Sequence, residues 1–352
     1  MKLEHLETPA LMVDLDIMEA NMQAMDRLLE GSGIRLRPHY KSNKCPTIAH
    51  MQMAAGAKGI TCAKLSEAED LVFSGIEDVL IANQITDLAK VARAAYLAKC
   101  CRLSICVDEA QNITDLQNAA ALQGSVIHCL VEYDIGMNRC GVHTQEEVAA
   151  LARQILSCPN LTFDGIQAYA GNLAHEENFD ARRDGSDAVE VKLKALKQYL
   201  EAQGIAVQEI SGISTGTIQF HQENSVYTEA QAGSYLFSDA AYHAVGAPFQ
   251  NALFVVASVM HCHEGAVVTD AGLKSVSVDQ RPPVFRGYEN VPVEMSEEHA
   301  AIYGSFPEKT GERMLLIPSH CCTTINLYDN LYFVRKGKVV DRVPIVSRGK
   351  SR

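Results

Sequence analysis

The segment RPHYKSNK, from Arg37 to Lys44, overlaps a short apolar-to-basic run, IRLRPHYK, that has the length of a β-strand. Lys41 stands at the end of this run. A lysine at the carboxyl end of a barrel strand is partly removed from water, so its neutral amine becomes available to form a Schiff base. Taken alone the segment is a weak signal, because most lysines beside an arginine and a histidine are solvated surface residues.

The rest of the chain repeats this pattern and so predicts the fold. Strand-like runs alternate with amphipathic helical runs, which predicts parallel βα units. The eight strand candidates are IRLRPHYK, GITCAK, DVLIANQI, RLSICVD, SVIHCLVEYD, LTFDGIQAYA, VQEISGIST and TEAQAGSYLF. Eight such units in about 220 residues favour a (β/α)8 TIM-type barrel over an open doubly wound sheet. The predicted fold class is therefore α/β.

Beyond about residue 245 the pattern changes to β-branched runs separated by Gly, Asp and Asn turns, which predicts a C-terminal all-β domain. The apolar run PALMVDL near the N-terminus can add a strand to this domain, with Asp16 capping the helix that follows. We therefore predict a barrel domain over residues 15–245 and a β domain over residues 246–352, joined by residues 1–14.

The composition excludes several classes of function. The chain has 352 residues and a net charge of −12, which argues against binding to nucleic acid or to anionic membranes. It shows no signal-peptide pattern and no apolar run of the ~18 residues that a membrane span needs, so we expect a cytoplasmic protein. The eleven cysteines form no CxxC pair and are expected to be reduced thiols.

Two loops late in the strand order are candidates for a phosphate site. SGISTGT, ending at Thr217, and GSYLF, beginning at Gly233, follow the seventh and eighth strand candidates. In barrels these loops supply backbone N–H groups and hydroxyls to a phosphate. A simple polar turn is the alternative, but the position of both loops favours phosphate binding.

Three further candidates lie after the fifth and sixth strands. Arg139, in DIGMNRCGV, could contact an anion or cofactor, although a surface salt bridge is the commoner role for a lone arginine. In IQAYAGNLAH, Tyr169 ends a strand and His175 follows six residues later. A tyrosine at a strand end more often serves packing than chemistry.

The segment PSHCCTTINLYD carries a candidate metal site. On an extended chain, His320 and Cys322 at positions i and i+2 point to the same side and could both bind a zinc-like cation. Two protein ligands leave open positions for water and substrate, as a catalytic Lewis acid requires. Buried histidines and cysteines without a metal are also common.

Together these features resemble the alanine-racemase-like fold, fold type III, of pyridoxal-phosphate enzymes. Within that fold the chain resembles the family of metal-dependent D-serine dehydratases and D-threonine aldolases. The matching segments span nearly the whole chain in the family's order. They are RPHYKSNK, DIGMNRCGV, GIQAYAGNLAH, STGT, AGSYLF, DAGLKSVSVD, SEEHA and IPSHCCTTINLYDNL.

The resemblance implies roles for individual residues. Lys41 would carry pyridoxal 5'-phosphate and act as the base at Cα. Tyr169 would approach the pyridine nitrogen, Arg139 would lie on the side of the ring hydroxyl, and His175 would contact substrate or water. His39 would add a cofactor contact, and the phosphate would be held by Thr215, Gly216, Thr217, Gly233, Ser234 and Tyr235. The metal would be bound by His320 and Cys322, as zinc or as manganese or magnesium.

Three positions depart from the family pattern. The lysine motif typically reads HxKTHK, and here Asn43 replaces its second histidine. The segment SEEHG ends here in Ala300. Members that resemble dehydratases tend to carry a cysteine two residues after the metal-binding histidine, whereas those that resemble aldolases carry a carboxylate. The third departure is that Cys321 and Cys322 are both cysteines in this metal motif, and Cys322 stands at that position.

The resemblance thus implies a lyase that acts on β-hydroxy-D-amino acids with pyridoxal phosphate and a divalent metal. Cys322 favours a dehydratase of D-serine, D-threonine or 3-hydroxyaspartate, which releases a 2-oxo acid and ammonia. The alternative is a D-threonine aldolase, which gives glycine and an aldehyde. A non-catalytic pyridoxal-phosphate-binding protein and a racemase are remoter alternatives.

The substrate and the assembly follow from the resemblance only in part. The expected partner is a small β-hydroxy-D-amino acid, and the fold implies a homodimer. The β-substituent of the substrate stays open between hydrogen, methyl, carboxylate and aryl. Arg281 and Arg286 are the candidates for binding a second carboxylate.

Overall fold

The computed structural model describes residues 1–221 and 224–352, which divide into two compact units. The first, called the barrel unit below, comprises Arg27–Lys41, Ile48–Gly233 and Lys350–Arg352. The second, called the β unit, comprises Met1–Asp26, Ser42–Thr47 and Ser234–Gly349.

The chain begins with strand β1 (Ala10–Asp14) and helix α1 (Leu15–Leu29). Asp14 starts this helix, because its Oδ1 accepts the backbone N–H groups of Asp16 (3.1 Å) and Ile17 (3.3 Å). The prediction that Asp16 is the cap was therefore wrong, since the helix begins two residues earlier than the apolar run suggested. Asp16 instead forms an ion pair with Arg335 at 2.6 Å.

A parallel sheet is the core of the barrel unit, and eight strands of it lie within the described residues. They are β2 (Arg35–Leu36), β3 (Ile60–Cys62), β4 (Asp78–Ile81), β5 (Arg102–Val107), β6 (Ile127–Glu132), β7 (Leu161–Gln167), β8 (Glu209–Gly212) and β9 (Glu229–Ala230). The intervening helices are α2 (Pro46–Ala54), α3 (Leu65–Phe73), α4 (Leu88–Leu97), α5 (Ala110–Gln123), α6 (Gln145–Leu156) and α7 (Phe179–Ala202). Each predicted strand run contains one of these strands, so the predicted fold class is confirmed.

The sheet closes on itself just beyond β2. Strands β3 to β9 pair in chain order, and β2 pairs with β9. Past the end of β2, His39 forms a parallel bridge with Thr61 of β3, and the Thr61 N–H donates to the Pro38 carbonyl at 3.0 Å. The carboxyl ends of parallel strands share one rim, so the loops that carry Lys41, Tyr169 and Thr215 all leave the barrel at the same end.

Buried charges support this closure. Arg37 is 2% exposed, with Nε 2.9 Å from Glu229 of β9 and Nη1 2.7 Å from Asp78 of β4. Lys58 adds a second cation, 2.9 Å from Glu229. Burial alone would raise the pKa of Glu229, but the charges of Arg37 and Lys58 outweigh it and lower that pKa. Gly59 is required here, because a Cβ at this position would collide with the Arg37 guanidinium.

The β unit contains a largely antiparallel sheet. Its remaining strands are β10 (Leu253–His263), β11 (Ala266–Thr269), β12 (Val284–Phe285), β13 (Val293–Met295), β14 (Ala300–Tyr303), β15 (Arg313–Ile317), β16 (Asn330–Arg335) and β17 (Lys338–Pro344), with helices α8 (Ala240–Ala244) and α9 (Cys321–Ile325). Strand β1 lies between β10 and β16, antiparallel to the first and parallel to the second. The predicted addition of the N-terminal strand is thus confirmed, and Met12 packs with Phe254 and Val334 in the core.

Two expectations from composition can be compared with the structure. All eleven cysteines are free thiols. Among the described residues, every helix is too short or too polar to cross a membrane.

The buried ion pairs predict a specific stability defect in Glu229→Gln. The variant leaves the buried Arg37 with Asp78 as its carboxylate partner but without Glu229, so we expect the free energy of unfolding at pH 7 to fall by about 3–5 kcal/mol in denaturant titrations. Because the folded pKa of Glu229 lies below its ordinary value of 4.5, the contribution of the carboxylate is complete above that pH and is lost as the pH falls through the folded pKa.

The control is Glu201→Gln, which removes an exposed pair with Lys197 at 3.8 Å and should change stability by less than about 1 kcal/mol. Equal effects of the two variants would contradict the structural role of Glu229.

Candidate active site

Lys41 lies in a short 3-10 turn, Tyr40–Ser42, immediately past the bridge that closes the barrel. The Lys41 N–H donates to His39 Nδ1 at 3.4 Å, which orients the histidine beside the lysine. Asn43, the first departure from the family motif, is fully buried, and its Oδ1 accepts the Cys45 N–H at 3.0 Å. At this position, therefore, the asparagine stabilises the turn.

A cavity of about 220 Å³ in the barrel unit brings several predicted residues together. Lys41 Nζ lies 5.7 Å from the centre of the Tyr169 ring, and the guanidinium carbon of Arg139 lies 5.9 Å from the same ring. Both cations are thus within cation–π range of the same aromatic ring. The lining residues are His39, Lys41, Ala63, Ala82, Asn83, Arg139, Cys140, Gln167, Tyr169 and Gln231.

The Tyr169 ring is fixed by its surroundings. A Cβ on Gly171 would collide with the ring and would come within 2.9 Å of Met137 Sδ. Glycine at 171 therefore allows the chain to pass close to the ring, and this close approach holds Tyr169 towards Lys41 and Arg139.

Arg139 has a buried carboxylate partner that sequence reasoning missed. Glu132, the last residue of β6, lies 3.8 Å from Arg139 Nη2 and accepts a hydrogen bond from Gln84 Nε2 at 2.6 Å. Burial raises the pKa of Glu132 in spite of that hydrogen bond and the charge of Arg139. A glutamate that ends an otherwise apolar strand, SVIHCLVEYD, was the available signal.

Two buried amides, also missed, form part of the cavity wall. Gln231 Nε2 donates to Gln167 Oε1 at 2.7 Å and lies 2.7 Å from Ser211 Oγ. These side chains link β7, β8 and the residue after β9. They supply polar groups where the predicted cofactor ring would lie, although the sequence offered no pattern that distinguishes them from other glutamines.

The predicted phosphate loop after β8 is compact and buried. Ser214 Oγ lies 3.1 Å from Thr217 Oγ1, and Thr215 and Thr217 are almost fully inaccessible to solvent. A Cβ on Gly216 would overlap the backbone carbonyl of Ala174, so only glycine allows this approach. Such a loop can present backbone N–H groups to an anion.

The remaining barrel candidates occupy separate positions. Gly233 is the last residue of its segment of the barrel unit, and His175 lies half-buried in the turn after the 3-10 segment Gly171–Leu173. Within the described residues, the lining of the 220 Å³ cavity includes neither His175 nor the loop of Thr215–Thr217.

In the β unit, His320 and Cys322 lie side by side at the start of α9. His320 is the N-cap residue with extended backbone angles, and Cys322 occupies the first helical turn. The prediction of one extended segment was therefore wrong, because the chain turns into a helix directly after His320. The two side chains still meet, since the N-cap residue projects over the first turn.

The electrostatics of this pair show how closely the two groups interact. Burial alone would lower the pKa of His320, but the hydrogen bond and charge of Cys322 and the hydrogen bond to Asp279 raise it to about 10. The two neighbouring groups are able to bind one divalent metal, because imidazole nitrogen and thiolate sulfur are the ligands zinc prefers. Among the described residues, however, no group of three or more His, Cys, Asp or Glu side chains is arranged to hold a metal.

Two residues flank the metal pair in the same unit. Ser234 Oγ lies 3.7 Å from Cys322 Sγ, and Ser234 and Tyr235 open a buried 3-10 turn, Ser234–Leu236. The carboxylate of Asp239 accepts the Cys321 N–H at 2.9 Å, and burial raises the pKa of Asp239. The predicted phosphate residue Ser234 is thus a neighbour of the predicted metal ligand Cys322.

The fold and these residues match known protein families. The family described as the alanine racemase N-terminal domain matches residues 13–241, and the putative serine dehydratase domain matches residues 252–334. The chain therefore belongs to the alanine-racemase-like family with a serine dehydratase-like C-terminal domain, and the predicted resemblance is confirmed. Its aldolase and dehydratase relatives, described next, show that it is a lyase.

Individual relatives are similar over almost the whole chain. The D-threonine aldolase of an Arthrobacter species is 39% identical, covering 99% of this chain and 95% of its own length. The 3-hydroxy-D-aspartate aldolase of Paracoccus denitrificans (strain Pd 1222) is 38% identical, with 98% and 93% covered. The crystal structure of D-threonine aldolase from Filomicrobium marinum has a TM-score of 0.96 at 36% identity, with 99% and 98% covered.

A dehydratase relative is more distant. The D-threo-3-hydroxyaspartate dehydratase of Delftia sp. (strain HT23) is 27% identical, with 91% of this chain and 92% of its own length covered. The similarities therefore favour the aldolase alternative over the dehydratase that Cys322 suggested.

The crowding at Gly216 predicts the effect of a single methyl group. In Gly216→Ala the new Cβ would overlap the Ala174 carbonyl, so the loop must shift and its N–H groups would move away from a bound phosphate. Losing one charge-assisted hydrogen bond corresponds to a roughly 10- to 100-fold weaker affinity for pyridoxal phosphate, measured by absorbance titration of the cofactor-free protein.

Gly185→Ala is the matched control. Its Cβ would meet the end of the flexible Leu173 side chain at 2.7 Å, which can move aside. Equal cofactor affinity in Gly216→Ala and the wild type would contradict the assignment of this loop to the phosphate.

Proposed function

We propose that this lyase is a D-amino acid aldolase that cleaves the Cα–Cβ bond of β-hydroxy-D-amino acids, with pyridoxal phosphate on Lys41 and a divalent metal on His320 and Cys322. The observation that carries the proposal is the position of Lys41 beside the face of Tyr169 in a barrel-rim cavity. Similarity to two aldolases over nearly the full chain supports this reaction over the dehydratase.

The residues fit both groups. The cavity holds a lysine, an aromatic face and an arginine backed by Glu132, and the crowded loop at Gly216 suits an anion. His39, Tyr169 and Arg139 would contact the cofactor ring. The phosphate would be held by Thr215, Gly216, Thr217, Gly233, Ser234 and Tyr235.

The two groups divide the chemistry between them. When bound, pyridoxal phosphate supplies an electron sink for the bond that breaks at Cα, and the metal supplies a Lewis acid for the β-hydroxyl. His175 would contact the substrate or a water molecule, as the family resemblance implies. Lys41 would deliver the proton that Cα needs to become glycine.

The product assay separates the alternatives. Holoenzyme supplied with zinc or manganese should convert D-threonine to glycine and acetaldehyde, and 3-hydroxy-D-aspartate to glycine and glyoxylate. Release of ammonia and a 2-oxo acid, from these substrates or from D-serine, would instead establish the dehydratase. Turnover to the L-enantiomer would establish a racemase.

Two variants test the residues. Lys41→Ala should lose the visible absorbance of bound cofactor together with activity. His320→Ala should lose bound metal and activity but keep that absorbance, and the exposed histidine of the same unit in His261→Ala is its control. A His320→Ala protein with full aldolase activity would contradict the proposed role of the metal.

The contacts of Arg281 and Arg286 support one of them as the arginine that binds a second carboxylate of the substrate. The Arg281 N–H donates to Ser319 Oγ at 2.9 Å, directly before His320, and Arg281 Nη1 donates to the Ala240 carbonyl at 3.3 Å. Arg286 is engaged elsewhere, with its guanidinium carbon 5.1 Å from the Phe254 ring beside Glu289 in a separate cavity of about 470 Å³. We therefore assign carboxylate recognition to Arg281.

Arg281→Gln should then change specificity. Removing a charge-assisted contact is expected to lower kcat/KM for 3-hydroxy-D-aspartate by about 10-fold or more and to leave D-threonine cleavage within about 2-fold. Arg286→Gln serves as the control for loss of an arginine and should leave kcat/KM unchanged for both substrates. Equal losses on both substrates would contradict a role for Arg281 in reading the substituent.

A further inference from the structure

The metal pair has a carboxylate partner that is not itself part of the proposed ligand set. Asp279, in the segment between β11 and β12, places Oδ2 at 2.9 Å from His320 Nδ1. We propose that Asp279 positions His320 for metal binding through this hydrogen bond to Nδ1, which orients the ring and leaves Nε2 for the metal. This inference rests on the proposed metal site.

The argument begins with the hydrogen-bonding capacity of the two groups. A neutral imidazole carries one N–H and one lone pair, and which nitrogen carries the proton is decided by what each nitrogen faces. An ionised carboxylate only accepts hydrogen bonds. With Asp279 on Nδ1, the ring is fixed in rotation, and Nε2 is the nitrogen that can face a metal. Carboxylate–histidine–metal arrangements of this kind orient the ligand and increase its basicity.

Asp279 is itself held in place by the hydroxyl groups of Ser277 and Thr323. Its Oδ1 accepts a hydrogen bond from Ser277 Oγ, and Thr323 Oγ1 lies 2.9 Å from the same oxygen. Thr323 Oγ1 is also 2.7 Å from Ser277 Oγ, so the two hydroxyls and the carboxylate form a closed network. One carboxylate oxygen is therefore occupied by hydroxyls, and the other faces His320.

The backbone around Asp279 is tied to both sides of His320. Before the histidine, Ser319 Oγ accepts the N–H groups of Gln280 (3.2 Å) and Arg281 (2.9 Å). After it, Thr324 Oγ1 accepts the Ser277 N–H at 3.1 Å. Ser319 and Thr324 are fully buried. The backbone around Asp279 is therefore fixed next to His320 by buried hydroxyl groups of the β unit.

The test is the zinc affinity of the pyridoxal-phosphate-loaded protein, measured by competition with a chromogenic chelator. Asp279→Ala removes the acceptor, and loss of such a partner typically weakens metal binding about 10- to 100-fold. Asp279→Asn keeps a neutral acceptor oxygen and should therefore lie between Asp279→Ala and the wild type. Asp341→Asn, at an exposed position on β17, is the control and should bind zinc like the wild type.

The outcomes separate this inference from the proposed function. A wild-type protein that binds no zinc overturns both. Zinc binding by the wild type, with unchanged affinity in Asp279→Ala, overturns only the role of Asp279. Loss of zinc as complete as in His320→Ala would make Asp279 a direct ligand and would also overturn the positioning role. Urea unfolding of the metal-free variants checks that a graded loss of affinity does not come from loss of folding.

Discussion

The closure of the parallel sheet just past β2 is the constraint on which the rest of the barrel unit depends. A two-residue strand has little pairing of its own, so the joint relies on the His39–Thr61 bridge and on buried Arg37 between Asp78 and Glu229. Isolated charges at such depth would be unfavourable, and here each has an opposite partner. The same short segment continues directly into the turn of Lys41. The strand pairing that closes the barrel therefore also determines the position of the Lys41 amine.

The elements that could be predicted from sequence are those determined by local patterns. The eight strand runs are visible as apolar periodicity, and TQEE is the sequence of a capping box that Thr144 and Glu147 form in the structure. Helix α7 begins at Phe179, where Asn178 caps it and the sequence is mostly charged. A polar face gives no apolar periodicity, so the first turns of that helix carried no signal.

The candidate site divides in the same way. Lys41, Arg139 and Tyr169 could be named because a family motif surrounds each of them, and the structure lines one cavity with all three. Glu132, Gln231 and Asp279 act through neighbours that are distant in sequence, and no local pattern distinguishes them from structural residues. His320 and Cys322 were identified for a geometry that the chain does not adopt, since α9 starts between them. For this pair, the residue types indicate a metal site as a hypothesis, whereas the extended backbone assumed for them was wrong.

This last difference affects how the metal pair can work. On a strand, two side chains at i and i+2 share a face but have no common support. At a helix N-terminus, the N-cap residue and the first turn are held together by the helix itself. The buried Asp239 carboxylate also accepts the backbone N–H of Cys321, which lies between the two residues. A two-ligand site built in this way gains its rigidity from the helix start and from the side chains around it, so a third protein ligand is not needed to orient the pair.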